Sequence, residues 1–155
     1  MGEKPDHAAV ALPPPLIYVL GWLVAWLLER RWPLTWHQSL ASQGLGVAIG
    51  AAGAFLGAWS LLALRAAHTS PNPFKPTQAL SMRGPYGFSR NPIYLSFAAL
   101  YAGGVVLARM GWGVVLLPLV LVVVQRLVVV REEAYLERKF GQAYQDYLGR
   151  VRRWV

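Results

Sequence analysis

The sequence contains no cysteine among its 155 residues. Disulfide bonds, thiolate nucleophiles and thiolate metal ligands are therefore excluded together. Histidine is scarce as well, since only His7, His37 and His68 are present and their spacing matches no metal-binding motif. We predict no metal site.

Charged residues are also few. They make up 14% of the chain, whereas 55% of the residues are hydrophobic and the mean hydropathy is +0.37. A water-soluble domain carries about 25% charged residues. The composition is therefore typical of a membrane protein, and the length favours one domain over residues 1–155.

Four apolar stretches follow one another along the chain. They cover residues 13–28, 44–64, 92–108 and 110–130, and each approaches the roughly 20 residues that a helix needs to cross a bilayer. Because only Arg109 separates the last two, we expect them to form a tight antiparallel pair. The fold class predicted is all-α: a polytopic membrane protein with about four transmembrane helices.

The second stretch carries two pairs of glycines, Gly46 with Gly50 and Gly53 with Gly57. Small residues at this spacing allow another helix to approach closely. The spacing leaves open whether that helix belongs to the same chain or to a second copy. A homo-oligomer formed through the glycine-rich helix 44–64 is one of the two alternatives.

Basic residues are distributed unevenly between the loops and produce a net charge of +8. The loop 65–90 holds four and the tail from Arg126 holds seven, whereas Arg30, Arg31 and Arg109 are the ones on the other side. Under the positive-inside tendency, the loop, the tail and the N-terminus face the cytosol. The charges are thus interpreted as topology signals and contacts to membrane lipids, and we expect no nucleic-acid partner.

A cleaved signal peptide is a poor explanation of the first stretch. The triple proline 13–15 interrupts the apolar region, and Glu3 and Asp6 offset Lys4. We expect this stretch to be retained as a membrane helix.

A polar region, residues 77–97, leads into the third stretch. Gly84 marks a turn, Ser89 or Asn91 is a candidate cap for the following helix, and Pro92 suits its first turn. These assignments are a complete structural explanation of those residues.

Four other side chains meet at the same helix mouth: Arg90, Tyr86, Tyr94 and Tyr101. A helix N-terminus favours an anionic group, and an adjacent arginine strengthens that preference. Anchoring at the membrane boundary is the alternative explanation for tyrosine and arginine here.

A second polar region, residues 124–155, continues the fourth stretch as a helix. Arg126 is either a functional group or a side chain that reaches back to the membrane surface, and the sequence favours neither. Farther on, the apolar and aromatic residues recur with helical spacing, with a break near Gly141; they are Tyr135, Leu136, Phe140, Tyr144, Tyr147, Leu148 and Val151. We expect a C-terminal cytosolic amphipathic helix that lies on lipid headgroups or covers a pocket.

Together, the two polar regions resemble the C-terminal signature of the isoprenylcysteine carboxyl methyltransferase and phospholipid methyltransferase family, integral membrane enzymes that use S-adenosylmethionine. The matching residues are Gly84, Pro85, Tyr86; Arg90, Asn91, Pro92, Ile93, Tyr94; Glu132, Glu133; Phe140, Gly141; Tyr144 and Tyr147. The resemblance implies a cofactor-binding half over 77–155. Residues 13–76 match only in being hydrophobic and are interpreted as a variable N-terminal helical hairpin.

Two positions depart from the family pattern. Asn91 stands where the family usually has histidine, and an amide cannot titrate near neutral pH. Val128 stands where animal members have arginine, and either Arg126 or Arg131 is a candidate substitute.

The resemblance also implies site residues. Those expected to bind S-adenosylmethionine are Gln78, Ala79, Leu80, Ser81, Tyr86, Asn91, Pro92, Ile93, Tyr94 and Glu132. Arg90 and Glu133 are the expected catalytic residues, with Glu133 as the base if the acceptor is an amine.

The function predicted is methyl transfer to a lipid-linked or isoprenoid carboxylate, or to a phospholipid amine. A bacterial inner membrane is the expected location, with the site on the cytosolic side. The alternative is a non-catalytic membrane protein or degenerate relative acting as a packing subunit. A transporter is disfavoured because the first three stretches lack ionisable groups near the midplane.

Overall fold

The computed structural model describes residues 6–8, 10, 12–34 and 36–155. Within them all regular elements are helical, which confirms the all-α prediction: α1 Pro14–Arg31, α2 Leu40–Ala66, α3 Pro92–Leu107, α4 Gly111–Val124, α5 Val130–Phe140 and α6 Gln142–Arg150. A short 3₁₀ turn, Gly84–Gly87, precedes α3, and a π-helical turn, Gln125–Val129, joins α4 to α5 as one continuous helix. The predicted break is present at Gly141, whose φ is 51°.

Helix α3 lies at the centre of the bundle and contacts α1, α2 and α4. The start of α1, the end of α2 and the start of α3 lie at the same end of the bundle, and α5 and α6 contact the chain there through Glu132 and Tyr147. The two polar regions therefore share one end of the molecule, as predicted. That this end faces the cytosol stays a prediction.

Two helices among the described residues are long and apolar enough to cross a membrane: α2, and the continuous helix Gly111–Phe140. Their outer faces expose large apolar side chains, among them Phe55, Leu62 and Leu119. Such faces are suited to acyl chains rather than to water. Helix α3 is a shorter apolar helix, and membrane crossing by α1 and α3 stays a prediction.

The glycine-rich face of α2 packs against α3 within the chain. A Cβ atom at Gly53 would lie 2.9 Å from the Leu100 nitrogen, and one at Gly103 would lie 2.7 Å from the Gly50 nitrogen. The two backbones therefore approach as closely as the small-residue spacing allows. The glycines serve an intrachain contact, and homo-oligomerisation, still a prediction, would have to use another face.

Candidate active site

A cleft opens at the polar end of the bundle and encloses about 890 Å³ of space, including its open mouth. Three parts of the chain form most of its wall: the loop after α2, the mouth of α3, and the pair α5 and α6.

All the predicted site residues except Gln78 line this cleft: Ala79, Leu80, Ser81, Tyr86, Arg90, Asn91, Pro92, Ile93, Tyr94, Glu132 and Glu133. The side chain of Gln78 is exposed, and its backbone N–H donates to the Thr69 hydroxyl at 3.1 Å. Tertiary structure thus brings both motif regions around one cleft. The roles of these residues stay predictions.

A hydrogen bond between Tyr94 and Glu132 connects the two regions. The Tyr94 hydroxyl donates to Glu132 Oε1 at 2.6 Å across 38 positions of sequence. Tyr18 of α1 donates to the Tyr94 carbonyl at 2.9 Å. Tyr94 therefore connects α3 to α5 through its hydroxyl, and it connects α3 to α1 through its carbonyl.

An ion-paired cluster forms the neighbouring wall. Arg90 Nη1 lies 3.2 Å from Glu133 Oε1, and Arg153 Nη2 lies 2.7 Å from Glu133 Oε2. Guanidinium groups thus contact both oxygens of Glu133, and this pairing weighs against its expected role as a base. The Nε atom of Arg90 is buried and has no hydrogen-bond partner among the described residues.

Of the two residues predicted as candidate caps of α3, Asn91 is the one at the cap position. Its side chain makes no capping bond; its amide donates instead to the Arg153 carbonyl at 3.0 Å. The Ser89 hydroxyl accepts from the Asn91 N–H. The first-turn N–H groups of α3 therefore have no side-chain cap at the cleft.

Buried tyrosines complete the wall. Tyr147 of α6 donates to the Tyr86 carbonyl at 2.7 Å. Burial raises the pKa of Tyr147 to about 12, against the opposing charge of Arg90, and burial also raises the pKa of Tyr86 and of Tyr144. These hydroxyls are therefore neutral near pH 7, and that of Tyr147 serves as a hydrogen-bond donor.

Several lining residues were absent from the sequence-based site. Tyr135 accepts from the Thr77 N–H and donates to Asp6, which joins the loop, α5 and the segment before α1. The stretch 69–73 also lines the cleft, and no motif marks it. Arg126 is exposed and does not line the cleft. Of its two predicted roles, a functional group in the cleft is therefore disfavoured.

The predicted substitutes for the family arginine do not line the cleft either. Besides Arg90, Arg153 from the basic run near residue 150 forms an ion pair with Glu133. Its hydrogen bonds to Glu133 raise the pKa of Arg153. The high density of arginine in that run was the available signal.

The fold and the cleft define a class: a helical protein with a cleft at one end of its bundle and, among the described residues, two helices long and apolar enough to cross a membrane. A family model described as phospholipid methyltransferase matches residues 41–143. The chain belongs to the phospholipid methyltransferase family, and this confirms the resemblance noted in the sequence. No curated protein and no solved structure matches the chain. Membership implies a methyltransferase that acts on lipid-type substrates.

Proposed function

We propose that this protein transfers a methyl group from S-adenosylmethionine to a lipid-linked or isoprenoid carboxylate, or to a phospholipid amine. The observation that carries the proposal is the single cleft shared by the mouth of α3 and the start of α5, with the Tyr94 to Glu132 bond between them. Family membership supplies methyl transfer. The cleft supplies a site for the donor.

The residues present fit the donor. The buried, unpartnered Nε of Arg90 and the uncapped N-terminus of α3 both suit a carboxylate. Glu132 suits a ribose diol or an amino group, since a carboxylate accepts hydrogen bonds from either. Apolar and aromatic walls from Ile93 and Tyr86 suit the remainder of the nucleoside.

When bound, S-adenosylmethionine supplies a methyl group that its sulfonium already activates. The protein therefore has mainly to align the acceptor and exclude water, and orientation contributes about 7 to 11 kcal/mol. A carboxylate acceptor needs no base. An amine acceptor must lose a proton to a base. Because Glu133 is held in ion pairs, methyl transfer to an amine is harder to explain here than transfer to a carboxylate.

Binding and turnover test the proposal separately. Purified protein in detergent should bind S-adenosylhomocysteine by calorimetry, and labelled donor should transfer its methyl group to a lipid extract. Absence of binding would sink the proposal. Binding without transfer to any lipid fraction would favour the degenerate, non-catalytic relative.

The variant Asn91→His tests the departure from the family histidine. We expect the dissociation constant for S-adenosylhomocysteine to stay within about threefold of the original, a change below 1 kcal/mol. The reason is that an imidazole N–H can replace the amide that donates to the Arg153 carbonyl. Loss of calorimetric binding in this variant would contradict the position given to Asn91 beside the donor.

A further inference from the structure

The segment that follows α6, residues 151–155, folds back onto the mouth of α3. The Arg90 N–H donates to the Arg152 carbonyl at 3.0 Å, and the Asn91 amide donates to the Arg153 carbonyl at 3.0 Å. These bonds attach the segment directly to the two residues that precede Pro92. The segment is called the clasp below.

Side chains of the clasp also form hydrogen bonds to the continuous helix Gly111–Phe140. Arg153 donates to both oxygens of Glu133, from Nε at 3.1 Å and from Nη2 at 2.7 Å. One residue farther on, Trp154 Nε1 donates to Gln125 Oε1 at 3.0 Å. The clasp therefore spans from the mouth of α3 to α5 and to the π-helical turn.

We infer that Arg153 is a positioning residue for Arg90, and this inference rests on the proposed function. A carboxylate held by a single cation is free to rotate, whereas a two-point contact with one guanidinium sets its plane. Glu133, fixed in this way, directs Nη1 of Arg90 to itself. The Nε of Arg90, which has no partner among the described residues, is then left for an anionic group in the cleft.

The charge of the cluster agrees with this role. Arg90 and Arg153 each contribute one positive charge and Glu133 one negative charge, so the group keeps a net positive charge beside the uncapped helix mouth. Asn91 lines the cleft and also contacts the clasp. The side-chain amide of Asn91 links the start of α3 to the clasp through its hydrogen bond to the Arg153 carbonyl.

Two ligands separate positioning from general stabilisation. S-adenosylhomocysteine carries the carboxylate that Arg90 would hold, whereas 5′-methylthioadenosine lacks the amino-acid part altogether. We expect Arg153→Ala to raise the dissociation constant of the first about tenfold and of the second less than about twofold. Arg153→Lys, which keeps the charge near Glu133, should recover part of the loss.

The matched control is Arg152→Ala, since this neighbouring arginine has an exposed side chain and contributes its backbone carbonyl to the contact. This variant should change the dissociation constant of each ligand by less than about twofold. In a Glu133→Gln background, Arg153→Ala should raise the dissociation constant of S-adenosylhomocysteine by less than a further twofold or so, because the ion pair with Glu133 is already lost. Equal weakening of both ligands, or an equal effect of Arg152→Ala, would overturn the inference.

Hydrogen exchange at the Arg90 amide keeps the test independent of the donor. Arg153→Ala should speed exchange there about tenfold relative to Arg152→Ala, because the clasp protects that N–H. If the original protein binds no S-adenosylhomocysteine, the proposed function fails, and this exchange rate alone decides about the clasp. If Arg153→Ala does not fold, Arg153→Lys and Glu133→Gln are compared in its place, and unchanged exchange in both would overturn the inference.

Discussion

Glu132→Ala is expected to weaken binding of S-adenosylhomocysteine by more than about tenfold, or roughly 1.4 kcal/mol and above. Glu132 lines the cleft from α5 and accepts the 2.6 Å hydrogen bond from Tyr94. Loss of a hydrogen bond to a charged group costs about 1.5 to 3 kcal/mol. Calorimetric titration of the detergent-purified variant measures the effect.

The control for this variant is Glu137→Ala. Glu137 is also on α5 but is exposed and lies outside the cleft, so binding should change by less than about twofold. Tyr94→Phe removes only the hydroxyl, and the double variant with Glu132→Ala should show non-additive losses since the two groups share one bond. If the Glu132→Ala and Glu137→Ala variants bind S-adenosylhomocysteine with equal affinity, Glu132 does not contact the donor.

Gly103→Ala is expected to destabilise the helix bundle by about 1 to 3 kcal/mol, the usual cost of overpacking. An added Cβ at this position would lie 2.7 Å from the Gly50 nitrogen and 2.8 Å from the Gly46 carbonyl oxygen. Backbone atoms cannot move aside as a flexible side chain can, so α2 and α3 must separate. Thermal unfolding in detergent, followed by circular dichroism, measures the loss.

Gly50→Ala provides the matched control on the facing helix. Its added Cβ would meet nothing within 4 Å, and alanine favours helix over glycine by about 1 kcal/mol. The midpoint of unfolding should therefore hold or rise in Gly50→Ala, and fall in both Gly103→Ala and Gly53→Ala. A fall of equal size in all three variants would mean that close backbone approach is not the cause.

The sequence alone predicted the helices and a large part, though not the majority, of the cleft wall. Apolar length and charge placement are local properties, so they predicted helices close to α2 and α3 and the break at Gly141. The motif residues from Ala79 to Tyr94 and the paired glutamates were predicted through the resemblance, and the fold brings them around one cleft. Gln78 was the exception: its side chain is exposed, and its backbone N–H bonds to the Thr69 hydroxyl.

Tertiary structure decided which partner each polar group takes. Asn91 is at the cap position of α3 and lines the cleft, but the partner of its amide is the carbonyl of Arg153, 62 positions away. Glu133 was expected as a base, and the return of the clasp places a second arginine on it. Such pairings depend on how the chain folds back through space. Local propensity and periodicity contain no information on contacts between residues so far apart in sequence, and only the packed bundle determines them.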